Sequence, residues 1–569
     1  MFEYLEFKDA KCKDCYLCLR ECPVKAIDII NHQAKIIKDR CILCGKCTLV
    51  CPQNAKIVHS ERDKVEILLR TNSKVIASVA PSFVSNFDVT DFEPFRIALC
   101  KLGFCDAHET AIGAEAVIKE YEKLMESGKF INFISSACPA ACSMIQMYYP
   151  KALKYLAPVD SPMVAHAKML KMAIPGASIV FIGPCIAKKR EARESGFIDG
   201  VLTFEDIDVM FKENNIVPKE ISHFEFNESA DNHINLSKSF PVSQGIIKSF
   251  ESLPEGFEYI SVDGADRCVQ VLENIETLSG VFLELSTCQN SCVNGPCILK
   301  SKGGSIKATL EVKKYVQKEK EKINSSTTND NQNTENISFF QNYPRIRDKS
   351  KIGTEEEIKT ILAKTGKFGP EDELNCGSCG YKSCRDKAWA VLNGYAEIEI
   401  CLPYMRKRAE SMSYEIIHNT ADGVVVLDDS MHILEINKKA KEMFGIEEES
   451  LKGRLAVDFF NTADFMNAYR ENKNVEILKD FIPKTQLYVD ISINILKEHR
   501  ALFAMMRDVT AKVEYDDKLT KMKLETFETT DAVIRKQMRV AQEIASLLGE
   551  TTAETKVALL KLKDIYKKE

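Results

Sequence analysis

The chain has 569 residues, 28% charged and 45% hydrophobic, with a formal net charge of −6. That length exceeds what one core can serve and implies roughly four or five modules. The charge balance offers no basic surplus to nucleic acid. No run reaches the roughly 18 apolar residues of a membrane span, and the acidic opening Met1-Phe2-Glu3 is unlike a secretion signal. A cytoplasmic protein with no membrane and no direct nucleic-acid contact is expected. The exceptional number is 21 cysteines, most in tight groups. In a long chain such groups mean iron or zinc in a reducing compartment, not a disulfide scaffold.

Cys12, Cys15, Cys18 and Cys22-Pro23 form C-x2-C-x2-C-x3-C-P, and Cys41, Cys44, Cys47 and Cys51-Pro52 repeat it. Three thiolates at this spacing wrap three corners of a cubane while the fourth reaches across to the other cluster. The expected sets are therefore Cys12, Cys15, Cys18 and Cys51, then Cys41, Cys44, Cys47 and Cys22. The prolines are expected to start short helices at 24–27 and 53–56. Paired zinc knuckles are the alternative. This segment, residues 1–60, resembles a bacterial two-cluster ferredoxin, which implies two 4Fe-4S clusters that relay electrons.

A second constellation lies at Cys376, Cys379, Cys384 and Cys401, with Gly377 and Gly380 permitting tight turns. It resembles the single 4Fe-4S domain of corrinoid iron-sulfur proteins and of membrane-coupled electron-transfer subunits, here over 350–408; a zinc ribbon is the alternative. Twelve cysteines are thereby assigned and nine remain, all between Cys100 and Cys297. Cys288 and Cys292 stand one helical turn apart, so a helix would turn both thiols toward one metal. Spacing alone leaves this site undefined.

Three stretches here resemble the signature of the diiron, or iron-only, hydrogenases: Ser135-Ser136-Ala137-Cys138-Pro139, Pro184-Cys185-x-x-Lys188-x-x-Glu191, and Glu284-x-Ser286-x-Cys288-x3-Cys292-x2-Gly295. Supporting matches are Ala80-Pro81-Ser82 after a strand-like run, Gly103-Phe104 with Glu109-Thr110, and Ser161-Pro162-Met163. The resemblance implies a catalytic-type domain over 65–312. In it Cys138, Cys185, Cys288 and Cys292 hold a fourth 4Fe-4S cluster joined to a diiron subsite bearing carbon monoxide, cyanide and a dithiolate. Cys292 would bridge the two parts. Lys188 and Ser82 would donate hydrogen bonds to the cyanides.

The departures bear on rate. Ala137 stands where active members carry a proton-shuttling cysteine, and alanine has no exchangeable proton. Ser286 and Gly183 replace methionines, Ala141 a tryptophan and Val84 an arginine. The ligands survive while their surroundings change, a pattern resembling the sensory branch of the family. Glu191 or water would then offer another route for protons. Cys100, Cys105, Cys142, Cys268 and Cys297 read as buried structural thiols, and His108, His166 and His223 have no ligand-like spacing.

Residues 313–348 begin as a charged helix and continue as a polar run that cannot bury a core, which predicts a flexible linker. Beyond it, strand-like Val424–Leu427 and Ile433–Ile436, a helix from Asn437, and strands near Leu487–Ile491 and Leu502–Met506 resemble a PAS domain over 410–511. It contains no cysteine for a flavin, and His418, His432 and His499 read as surface residues. In the tail, 512–569, Ile534, Met538, Ala541, Ala545 and Leu548 form one apolar stripe. Gly549 is expected to end that helix and Thr551-x-x-Glu554 to cap another. The stripe fits the PAS domain, a second copy in a homodimer, or a signalling partner.

The fold class expected is multidomain α+β and α/β. The function expected is hydrogen sensing with slow conversion, electrons passing through the clusters to the PAS module. Expected partners are H2, ferredoxin or another electron carrier, maturation proteins that build the diiron unit, and a kinase, phosphatase or regulator. Two further readings stay open: a ferredoxin-linked hydrogenase of high turnover, and a redox-signalling protein without the diiron unit.

Overall fold

The structure is a computed structural model that describes residues 4–8, 11–221, 236–299, 303–323, 337–347, 350–448 and 450–566. His223 and residues 324–336 of the expected linker lie outside them. The chain forms two compact units, residues 1–405 and 406–569.

At the start of the first unit, Leu5–Phe7 pairs antiparallel with Lys56–Val58, and Ile27–Ile30 forms a hairpin with Gln33–Ile36. The two halves carry helices at Leu17–Glu21 and Lys46–Val50, entered through left-handed Tyr16 (φ 58°) and Gly45 (φ 72°). These helices precede the prolines, whereas the sequence placed them after. The ring of Pro23 or Pro52 disfavours helical backbone at the residue before it. Cys22 and Cys51 accordingly turn extended, with ψ of 116° and 109°, and end the helices. Residues 27–30 and 56–58 are strands instead.

The hydrogenase-like region holds two parallel sheets. One runs Asp106–Glu109, Val75–Val79, Ser178–Ile182, Gly200–Leu202; the other runs Glu258–Asp263, Val281–Ser286, Phe133–Ile134. Every residue of Val75–Val79 and of Val281–Ser286 is buried, as parallel strands covered on both faces require. Ala80–Ser82, Ser135–Cys138, Gly183–Lys188 and Thr287–Cys292 all leave the carboxyl ends of these strands. Open parallel sheets bind ligands at that edge.

The helix Gly304–Ile323 crosses the expected boundary at 312 and buries Val312 and Tyr315 in the core. Residues 337–347 are no free tether either. Phe339 is buried, its carbonyl accepts from Asp160 N, and the Gln341 and Ile346 amides donate to Pro158 and Gln146 carbonyls. The apolar pair Phe339 and Tyr343 explains this, because it gives a polar stretch something to bury. The following module packs helices Glu355–Lys364 and Cys384–Leu392 through Ile358, Leu362 and Ala388. Each helix opens with a capping box, on Thr354 and Ser383.

The second unit contains a five-stranded antiparallel sheet in the order Ile433–Ile436, Gly423–Asp428, Ala501–Asp508, Leu487–Leu496, Val475–Ile482. Buried Asn437 caps the helix Lys438–Phe444 and ties it to the carbonyls of Ile417 and Asp422. The tail is a single helix, Thr510–Tyr566. Gly549 does not end it: nothing lies within 4 Å of a Cβ built there, and an exposed helical glycine costs only about 1 kcal/mol. Among the described residues no helix is long and apolar enough to cross a membrane.

Candidate functional site

The four strand-end loops enclose a cavity of about 120 Å³ lined by Cys138, Cys185, Cys288 and Cys292 together with Ala137, Ser82 and Lys188. Seven positions expected from sequence thus share one wall. Cys288 and Cys292 do not lie on one helix; they flank the left-handed residues Asn290 and Ser291 at the end of a strand. Both thiols still face the cavity. Cys292 is open to it yet surrounded by protein, and burial pushes its thiol up to about 12, with Cys138 and Cys185 adding. Burial likewise raises Cys185, with Cys138 adding. Thiols this costly to ionise in isolation are stabilised as thiolates by metal. Among the described residues no three Cys, His, Asp or Glu donors converge on a single-ion site; the four thiols ring a space instead.

Polar groups complete the wall. Lys188 Nζ donates to Ser161 Oγ at 2.8 Å and pairs with Glu191 Oε2 at 2.7 Å. An ammonium has three donors, so one remains for the cavity. Glu191 therefore holds the lysine and does not itself line the cavity. The Ser82 hydroxyl is fully buried, with no hydrogen-bond partner among the described residues. Four thiols, a cation and an unused hydroxyl fit a thiolate-bound cluster that carries anionic ligands. Neighbouring Lys189 points elsewhere, donating to the His59 carbonyl, while Arg190 reaches the Cys41 carbonyl and Ser143 Oγ.

Two wall residues had no role in the sequence reading. A Cβ at Gly183 would fall 2.8 Å from the Phe181 ring, so Phe181 fills the space beside this glycine. Glu284 accepts from the amides of Ile246 and Ile247, each at 3.1 Å, and from Ser261. Burial pushes its carboxyl up to about 7 against those donors. The motif contained Glu284, but only the fold shows it lining the cavity.

The cavity adjoins the ferredoxin-like region directly, since Leu43 and Cys44 also line it. Burial pushes the Cys47 thiol well up, with Cys44, Cys41 and Cys22 adding and Lys56 opposing. Cys22 thus stands among the second triplet, while the neighbours of Cys18 are Cys12 and Cys15. Further along, Cys376, Cys379, Cys384 and Cys401 line one pocket, with Lys367 Nζ 3.5 Å from Cys401 Sγ. That module meets the ferredoxin-like helix at Gly380, where a Cβ would lie 3.0 Å from Leu19.

Residues 73–296 match the model of the iron only hydrogenase large subunit, C-terminal domain. This stretch is similar to the iron-only hydrogenases. Models of a 4Fe-4S dicluster domain, an Fe-S cluster and the PAS fold match residues 11–55, 372–403 and 412–509. The chain is 24% identical over 245 residues to the NADP-reducing hydrogenase subunit HndD of Solidesulfovibrio fructosivorans, covering 37% of this chain and 42% of that one. It is 41% identical over 44 residues to one component of an ion-translocating oxidoreductase complex of Methanosarcina acetivorans, 8% of this chain and 17% of that one. It thus spans less than half the length of either relative. Among solved structures, a variant of [FeFe]-hydrogenase HydA1 from Chlamydomonas reinhardtii aligns with TM-score 0.39 and 17% identity, over 45% of this chain and 88% of that one. The PAS domain of histidine kinase ThkA aligns over 15% of this chain and 99% of its own, with TM-score 0.14 and 18% identity. The chain is a hydrogenase-like iron-sulfur protein with a PAS domain.

Proposed function

We propose that this protein senses hydrogen: it binds or slowly splits H2 at a diiron centre in the cavity and passes the redox change to its PAS module. One observation carries the reading: four cysteines, Lys188 and Ser82 line a single cavity in which position 137 is alanine. A diiron centre held there would supply hydrogen binding and heterolysis. The four cysteines, Cys292 among them, would hold it. Lys188 and Ser82 would each give a hydrogen bond to an anionic ligand.

Electrons would leave by the nearest cluster, that of Cys22, Cys41, Cys44 and Cys47, because Cys44 reaches the cavity wall. The sets Cys12, Cys15, Cys18, Cys51 and Cys376, Cys379, Cys384, Cys401 would follow, making four cubanes in all. Such a chain also serves ferredoxin or another carrier. The missing thiol at Ala137 would hold turnover down, which suits a receptor better than a bulk catalyst. The PAS domain and tail would hand the signal to a kinase, phosphatase or regulator.

The test is infrared spectroscopy of the anaerobically reconstituted protein after addition of a synthetic diiron precursor, under argon and then hydrogen. Carbon monoxide and cyanide bands that shift under hydrogen, with slow turnover, are expected. Fast turnover would make it a catalyst; intact cubanes without such bands would make it a redox relay.

A further inference from the structure

Thr110 lines the cavity from the start of helix Ala111–Glu126. Its Oγ1 lies 2.9 Å from Ser78 Oγ, which lies 2.8 Å from His166 Nδ1. All three residues are buried, at 5%, 1% and 1% exposure. His166 Nε2 has no hydrogen-bond partner among the described residues. Its ring meets that of His108 edge to face, centroids 6.4 Å apart. The His108 side chain is 25% exposed, and its Nε2 stands 3.4 Å from Asp106 Oδ2. Asp106 also pairs with Arg96, itself held by Glu93. Hydroxyl, hydroxyl, imidazole and imidazole thus run from the cavity to the surface.

The fold makes a particular arrangement to seat this histidine. Helices Ala111–Glu126 and Pro162–Ala173 touch at Gly113, where a Cβ would fall 2.6 Å from His166 N and 2.7 Å from its Cβ. Only glycine admits so close an approach. A buried imidazole with one ring nitrogen unused is a costly way to fill space; an apolar side chain would serve packing better.

We propose that Thr110, Ser78, His166 and His108 form a proton relay between the cavity and the surface, standing in for the donor absent at Ala137. The inference rests on reading the cavity as a hydrogen-converting centre. Each hydroxyl accepts one proton and releases another, so neither holds charge between passages. His166 takes the proton at Nδ1 and gives one up from Nε2 toward His108, and a tautomer change resets it. One water, or a swing of the partly exposed His108 ring, spans the last gap. The net result is one proton moved per passage. The two electrons released with two protons from H2 leave through the iron-sulfur clusters. Burial, with His108 nearby, holds His166 down to about 3, so it passes protons without storing them.

Two measurements test this, the first without the diiron unit. In protein labelled with 15N-histidine and carrying only its cubanes, the His166 ring proton is expected to exchange with D2O about a hundredfold faster than the amides of Val75–Val79. His108→Phe is expected to slow that exchange about tenfold. Exchange as slow as the amides and indifferent to His108→Phe overturns the relay. In diiron-loaded protein, Thr110→Val and Ser78→Ala are each expected to lower H2/D2O exchange about tenfold or more. The carbonyl bands and their shift under hydrogen should remain, and Thr110→Ser should restore the rate. Unchanged exchange in Thr110→Val overturns the relay. A wild-type protein that lacks the bands overturns the hydrogen reading instead, and the histidine exchange then decides by itself whether the path conducts.

Discussion

Arg40 places its guanidinium 5.0 Å from the ring of Trp389, the only tryptophan in the chain. The same group lies 5.0 Å from Tyr395 and 5.4 Å from Tyr148, and its Nη1 donates to Ser350. Three modules therefore meet on one cation beside Cys41. Arg40→Met is expected to weaken this junction by about 2 kcal/mol, the worth of a desolvated cation over a ring. Trp389 reports it: its emission should shift to the red and residues 350–401 should become sensitive to protease. Arg40→Lys should restore only part, because the flat guanidinium stacks where an ammonium cannot.

Glu284 makes stability depend on pH. Its carboxyl is pushed up to about 7 by burial, so between about pH 4.5 and 7 the folded state holds a proton that the unfolded state has lost. Stability through this group therefore falls as pH rises across that window, by on the order of 3 kcal/mol. Denaturant titrations at pH 5 and pH 7.5 measure the fall. Glu284→Gln should flatten it, and an equally steep fall in the variant would falsify the assignment.

The proposed crossed ligand sets predict an unequal result for two serines. Cys22→Ser should unseat the cluster proposed next to the cavity, on Cys22, Cys41, Cys44 and Cys47, and lose about four irons. Cys51→Ser should remove the outer one and leave the inner signal intact. Low-temperature magnetic resonance of the reduced variants separates them; the same signal lost from both would contradict the crossing.

Ala137→Cys puts an ionisable thiol on the cavity wall. Turnover of the diiron-loaded protein is expected to rise at least about tenfold. No rise would mean that proton supply at this position is not what limits the protein.

Gly549→Ala should stabilise the tail helix by about 1 kcal/mol, since the position is helical and unobstructed. Helical signal on heating is the readout. A loss of helicity would restore Gly549 as a terminator.

The sequence made legible what is carried by short-range spacing. The cysteine spacings, the strand before Ala80 and four of the five strands of the PAS sheet follow from local pattern. What escaped depends on distant residues meeting. Arg40 finds Trp389 across 349 positions of chain, and Glu284 becomes a cavity group only when its strand lies beside Phe133–Ile134. The prolines misled because Pro23 and Pro52 act backward on the residue before them. Gly549 misled because a terminator by residue type is overridden when nothing else stops the helix.

Residues 337–347 also determine where this chain can be divided. A fragment ending near 312 would interrupt a helix and strip Phe339 and Tyr343 from the region of Val159 and Asp160, leaving an adhesive apolar scar beside Ser161, which holds Lys188. Anyone wishing to study the hydrogenase-like portion alone should cut no earlier than 347. Recombination between relatives faces the same restriction, because the two sides of residues 324–336 must be inherited together.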